Sequence, residues 1–199
     1  MKTPRLALAA LAPLLAFCLA APAENPAAPR IGAAAPDFTL APAAGGAPVA
    51  LKDLLAKSKA VVVVFDATKC PYAIGYKERV ASMGKEYAAK GVSFVTINSN
   101  KTEPAAEVAD DAKKHGFSFP VLKDEGNKVA DLYDARKTPE IYVLDPKGTL
   151  LYRGRIDETH DDPKNVKSPD LRNALEAILS GKPVPVAETK AFGCSIKRV

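Results

Sequence analysis

Cysteine and histidine are scarce in this chain, at three and two of 199 residues. His115 and His160 stand far apart, so the closely spaced nitrogen and sulfur ligands of a zinc site are missing, and neither a metal nor a cofactor is expected. His115, just before Gly116, reads as a helix end, and His160 as part of a polar, acidic loop over 157–167. No segment repeats at a fixed period, which excludes a solenoid or propeller. Charge of one sign is nowhere concentrated: the net charge of +5 falls to +3 without Lys2 and Arg5, and acids and bases are interspersed from Glu24 onward. A nucleic-acid partner is therefore not expected, and Lys113-Lys114 beside Asp110-Asp111 reads as a solvated helix face. No long apolar run follows residue 21, so no stable membrane span is expected.

What is there begins with a targeting pattern. Lys2 and Arg5 lead into an apolar stretch over 6–21, broken by Pro13 and followed by Ala21-Pro22-Ala23. This reads as a secretory signal peptide over 1–23, with a mature start near Glu24 and a periplasmic or secreted product. Cys18 as a lipid-bearing residue is the disfavoured alternative, because Phe17 is too bulky for the place before such a cysteine. Cleavage leaves Cys70 and Cys194 in a compartment where disulfides persist, and an even count permits one internal bridge.

Residues 24–36 read as a flexible Ala/Pro-rich entry, 37–181 as one domain and 182–199 as an extended tail. A strand is expected over 37–40, a loop over 41–48 and a short helical turn over 51–56. The run Ala60-Val61-Val62-Val63-Val64-Phe65 has the continuous β-branched and aromatic character of a strand buried on both faces. After a brief turn, Pro71 opens a helix with Ile74, Val80, Met83 and Tyr87 on its apolar side, closed by Gly91. A strand over 92–97, a helix over 103–115 and a strand or packed segment over 117–122 continue a β-α-β-α succession, which calls for parallel strands. A short helix over 128–133 precedes two strands, 140–144 and 149–153, joined by Pro146-Lys147-Gly148 and hence antiparallel. The last helix is expected from Ser168 as its cap, with Leu171, Leu175, Ile178 and Leu179 inward and Gly181 as its stop.

Cys70 sits between the central strand and a helix. Unpaired N–H groups and the positive end of the helix dipole favour a negative sulfur there, and Lys69 and Lys77 are placed to add to the effect. Such surroundings lower a cysteine pKa from about 8.5 to about 3.5–7.5. Pro71 suits the first helical position, where its missing N–H leaves nothing unpaired. The expectation is a solvent-reachable thiolate, against the alternative of an inert buried thiol.

This order of elements, with a Cys-Pro turn and a later Thr138-Pro139 ahead of a hairpin, resembles that of thioredoxin-like proteins. The chain is similar to the redoxins, the alkyl hydroperoxide reductase and thiol-specific antioxidant branch, from Ala35-Pro36-Asp37-Phe38-Thr39-Leu40 to the Gly193-Cys194-Ser195-Ile196-Lys197 ending of one subgroup. The resemblance implies an α/β thioredoxin-like fold, with a central mixed sheet flanked by helices and an extended C-terminal arm. It also implies a cis Pro139, with Pro71, Thr138 and Pro139 shaping a substrate groove whose edge bonds a thiol or peptide.

The function implied is a thiol-disulfide oxidoreductase with Cys70 as nucleophile. Its partners would be a thiol/disulfide protein or a small hydroperoxide, and an unknown thiol reductant. Four positions depart from the family pattern. Ala73 replaces the second cysteine of Cys-x-x-Cys, and Ala67 stands where peroxiredoxins carry threonine. Val64 occupies the place of the buried carboxylate, unless Asp66 supplies it, and Lys137 fills a place often held by cysteine. Cys194 on the tail is expected either to resolve Cys70 or to anchor the tail by a structural disulfide, the latter worth about 4–5 kcal/mol. A hydroperoxide-reducing antioxidant and a non-catalytic binding or assembly protein are the rival readings.

Overall fold

A computed structural model describes residues 28–199; the expected signal peptide, Cys18 and the first residues of the entry segment lie outside them. In chain order the elements are β1 (Thr39–Leu40), β2 (Val49–Ala50), α1 (Leu51–Leu55), β3 (Ala60–Asp66), α2 (Pro71–Ala88) and β4 (Val92–Asn98). There follow α3 (Ala105–Lys114), β5 (Val121–Lys123), α4 (Lys128–Leu132), β6 (Lys137–Thr138), β7 (Glu140–Leu144), β8 (Leu150–Gly154), α5 (Asp170–Leu179) and β9 (Cys194–Ser195).

The apolar run of β3 takes the centre of a five-stranded sheet ordered β5-β4-β3-β7-β8. β3 and β4 are parallel, as are β4 and β5, while β7 runs antiparallel to β3 and to β8. Alternation along β3 divides the core in two. Val61, Val63 and Phe65 pack with Phe38, Leu51, Tyr133 and Tyr142 on one face. Val62 and Val64 meet Tyr76, Val80, Met83, Tyr87, Leu171 and Leu175, from α2 and α5, on the other. Each fully buried valine of this run contributes about 1.5–3 kcal/mol, so a polar substitution here breaks the sheet before it touches any site.

Several local expectations are corrected. Ile74 is 45 % exposed, and Ala73, Tyr76 and Lys77 form the buried side of the first turns of α2 instead. The 103–115 helix starts at Ala105 behind Pro104, which leaves Glu103 outside it as a buried loop carboxylate. Ser168 does not cap α5. Pro169 holds that position, and Ser168 Oγ donates to Asp170 Oδ1 at 2.8 Å. Of the segment 117–122 only Val121 and Leu122 are strand, and with Lys123 they form β5, paired with β4.

The residues after α5 follow the domain surface in fixed contacts. Thr189 N donates to Arg153 O at 3.0 Å, and β9 pairs antiparallel with β6. Ile196 then enters the core beside the sheet. Lys197 N donates to Asn100 Oδ1 at 2.7 Å and Val199 N to Asn127 Oδ1 at 2.9 Å. These backbone donors find buried side-chain acceptors, as a segment lying against the core must.

Candidate active site

The turn after β3 is built on Glu103. Its carboxylate accepts the N–H groups of Thr68 and Lys69, each at 3.0 Å, and the Asn98 amide at 2.5 Å. Burial pushes this carboxyl up, but the Thr68 N–H, the Asn98 and Asn100 side chains and the Lys69 N–H outweigh it and hold it below the usual carboxylate value. Thr68 Oγ1 also donates to Glu107 Oε1 at 2.8 Å. A rigid turn results, and it delivers Cys70 to the first turn of α2.

Cys70 is the N-cap of α2, with extended backbone and Pro71 at the first helical position. Pro71 itself is exposed. The Cys70 thiol donates to Thr138 O at 3.1 Å, and the Thr138-Pro139 peptide bond is cis. Cys194 lies opposite Thr138 in the β6–β9 pair and packs against Ala67, Cys70 and Ala73. The structure thus brings together Cys70, Cys194, Thr138 and Pro139, all singled out from sequence. Both cysteines are free thiols.

The electrostatics of Cys70 follow the sequence expectation in one part, a first-turn N–H of α2, and depart from it in the other, the two lysines. Burial raises its pKa, yet hydrogen bonds from the Cys194 thiol, the Ala73 N–H, the Thr138 hydroxyl and the Cys194 N–H bring it below the ordinary cysteine value. While Cys70 is protonated, the buried Thr138 hydroxyl has no partner among the described residues, so ionisation of the sulfur gives that donor an acceptor. Lys69 and Lys77 do not supply the effect. Lys69 pairs with Glu107 at 2.8 Å, and Lys77 is buried between Asp66 and Asp111, the latter at 2.7 Å. Asp66 is consequently committed to Lys77 rather than to the thiols. Cys194 moves the other way: burial, its bond to Cys70 and the Cys70 charge push its thiol up to about 11.

Access is the second correction. Cys70 is 3 % exposed, because β9 lies on the β6 edge expected to receive a substrate peptide. Gly193 allows this approach: its φ is +140°, and a Cβ there would stand 2.1 Å from Thr138 O. The rim beside the cover is aromatic, with Tyr72 tilted against His160 at 4.3 Å and edge-on to Phe192 at 5.9 Å. Arg79 ties the His160 loop to α2 through Asp157 Oδ2 and Thr159 O, both at 2.6 Å, and His160 O at 2.7 Å. His115 ends α3 as expected, with Nε2 at 3.4 Å from Asp111 Oδ1. Among the described residues no three His, Cys, Asp or Glu side chains are grouped to hold a metal ion, and no helix is long and apolar enough to cross a membrane.

Sequence reasoning missed Glu103, which it placed inside a helix, and the rim formed by Tyr72, His160 and Phe192. Gly193 carried a signal in principle, as a glycine beside a cysteine in a strand-like tail. Glu103 carried none, because its partners are backbone groups 34 and 35 residues away.

Comparison with known proteins bears on the family and the fold. The chain is similar to the thiol-disulfide oxidoreductase ResA of Bacillus subtilis, at 30 % identity over 120 residues, or 60 % of this chain. The match spans 64 % of that relative, so the chain covers less than two thirds of its length. A crystal structure of a Sinorhizobium meliloti protein of undescribed activity is 34 % identical with a TM-score of 0.79, covering 85 % of this chain and 95 % of that one. A Chlorobium tepidum structure titled as a thiol:disulfide interchange protein DsbE shares the fold, with a TM-score of 0.62 at 23 % identity, over 76 % of this chain and 99 % of its own. The family model described as AhpC/TSA matches residues 31–153, more than half the sequence, and the chain belongs to that family.

Proposed function

We propose that this protein is an exported thiol-disulfide oxidoreductase of the redoxin type, cycling between a Cys70/Cys194 dithiol and a Cys70–Cys194 disulfide. The observation that carries this reading is the seating of Cys194 directly against Cys70, across the Thr138-Pro139 turn. It supplies from the tail the second sulfur that Ala73 removes from the helix. In the substrate-reducing direction, the Cys70 thiolate attacks one sulfur of a disulfide and expels the other as a thiolate. Cys194, on losing its proton, then attacks Cys70 Sγ and releases the second substrate thiol. Two electrons pass to the substrate, and a thiol donor restores the dithiol.

Export rests on the pattern over 1–23 and fits a chemistry that needs an oxidising compartment. ResA-type relatives carry the name of this activity. Substrate access in the reduced state requires β9 to lift from β6, a two-residue pair. The test is reduction of insulin disulfides by the wild type against Cys70→Ser and Cys194→Ser. The reading expects turnover in the wild type alone, with a trapped mixed disulfide in Cys194→Ser. Activity that survives Cys70→Ser removes it. Hydroperoxide consumption no faster than that of a free thiol is expected in parallel, since Ala67 offers no hydroxyl to the site.

A further inference from the structure

The two sulfurs differ in what can reach them. Cys70 lies beneath β9, while Cys194, on that strand, is half-buried. With both thiols free, the β6–β9 pair can open and uncover Cys70. Once the two are bonded, the bond itself pins β9 over Cys70. The far side of β9 is fastened too, by Ile196 N donating to Arg136 O at 3.1 Å, by the Ile196 side chain in the core and by Lys197 N on Asn100. The oxidised protein therefore presents one reachable sulfur, that of Cys194.

Resting on the Cys70–Cys194 couple put forward above, we propose that the electron donor enters through Cys194, as an anionic thiol whose sulfur attacks Cys194 Sγ and expels Cys70 as a thiolate. The donor sulfur bonds to Cys194, and the electron pair of the broken bond goes to Cys70. A second donor thiolate then attacks the donor sulfur of this mixed disulfide. That step forms the donor's own disulfide and releases Cys194, which takes up a proton. Substrate and donor thus use different sulfurs.

Two features suit this route. A thiol of lower pKa leaves faster, and of the pair Cys70 is the one held below the ordinary value. The positive charges acting on the Cys194 sulfur are those of Lys197 and Lys137. Lys137 Nζ lies 3.3 Å from Ser195 Oγ, next to Cys194, and Lys197 is exposed two residues on. Positive charge at the point of entry raises the local concentration of an anionic donor and lowers that of a cationic one. Lys137 thereby acquires a role at the place where a cysteine was expected.

The experiment starts from protein oxidised with diamide and mapped for the Cys70–Cys194 disulfide. Glutathione is added, the reaction is acid-quenched early in the first turnover, and the adduct is located by tandem mass spectrometry. Glutathione on Cys194 with Cys70 free is the expected result. Glutathione on Cys70 overturns the entry route while leaving the redox couple standing, and absence of any Cys70–Cys194 disulfide removes both. A second arm compares glutathione with cysteamine, each corrected to its thiolate concentration, on wild type and Lys137→Gln. The proposal expects glutathione to be several-fold faster on wild type, with the advantage shrinking in the variant. Equal rates on wild type overturn the anionic donor.

Discussion

Gly193 and Thr138 approach so closely that a single added carbon on the glycine would stand 2.1 Å from the threonine carbonyl oxygen. This contact sets β9 on the β6 edge, and the same carbonyl accepts the Cys70 thiol. Cover and Cys70 thiol thus share one backbone atom.

Gly193→Ala should therefore loosen the cover without disturbing the sheet. The collision, together with a φ that L-residues avoid, costs about 1–3 kcal/mol. Spent on opening β9, that corresponds to a rise of roughly 5- to 150-fold in Cys70 alkylation by iodoacetamide. Peptide-resolved alkylation rates check this, and an unchanged Cys70 rate would show that β9 does not govern access.

Glu103→Gln should weaken the turn before Cys70. The variant keeps one acceptor oxygen but loses the charge that holds the N–H groups of Thr68 and Lys69, a loss of about 1–3 kcal/mol for a buried network. The sign with pH follows from the depressed carboxyl of Glu103. Its contribution is full above the ordinary carboxylate value and is lost as pH falls through the lower folded value. Denaturant unfolding at neutral and acidic pH should show the wild type and variant converging in acid.

Cys194→Ala should raise the pKa of Cys70, since the Cys194 thiol is the largest of the influences that lower it. The thiolate ultraviolet absorbance of the variant should titrate at higher pH than the Cys70 step of the wild type. A downward shift would mean that relief of burial outweighs the lost hydrogen bond.

Lys77→Met should be destabilising by about 3–5 kcal/mol, because it leaves the Asp66 and Asp111 carboxylates facing each other without their shared cation. The pH profile of Cys70 alkylation should stay in place, as Lys77 is spent on that pair. Thermal melts and alkylation profiles, taken on the same variant, separate the two effects.

Much of this architecture was legible in local pattern. The run from Val61 to Phe65 could only be a doubly buried strand, and Pro146-Lys147-Gly148 could only join antiparallel neighbours. Cys70 announced itself by its place before Pro71, and Thr138-Pro139 by its resemblance to a family turn. What escaped was set by partners distant in sequence. Lys77 looked like a cation for the thiol until Asp66 and Asp111 were seen to enclose it, and the tail looked unconstrained because its acceptors, Asn100 and Asn127, lie on other segments. Exposure of Cys70 failed for the same reason: the cover comes from a strand 124 residues later, and no periodicity near Cys70 encodes it.

The most direct measurement is an equilibrium redox titration of the purified protein, quenched by alkylation and read by non-reducing peptide mapping. Loss of the Cys70 and Cys194 thiols together, in one reversible two-electron transition that yields a peptide pair linked through those residues, is the predicted result. Thiols that disappear independently, or that stay free across the titration, would contradict the account.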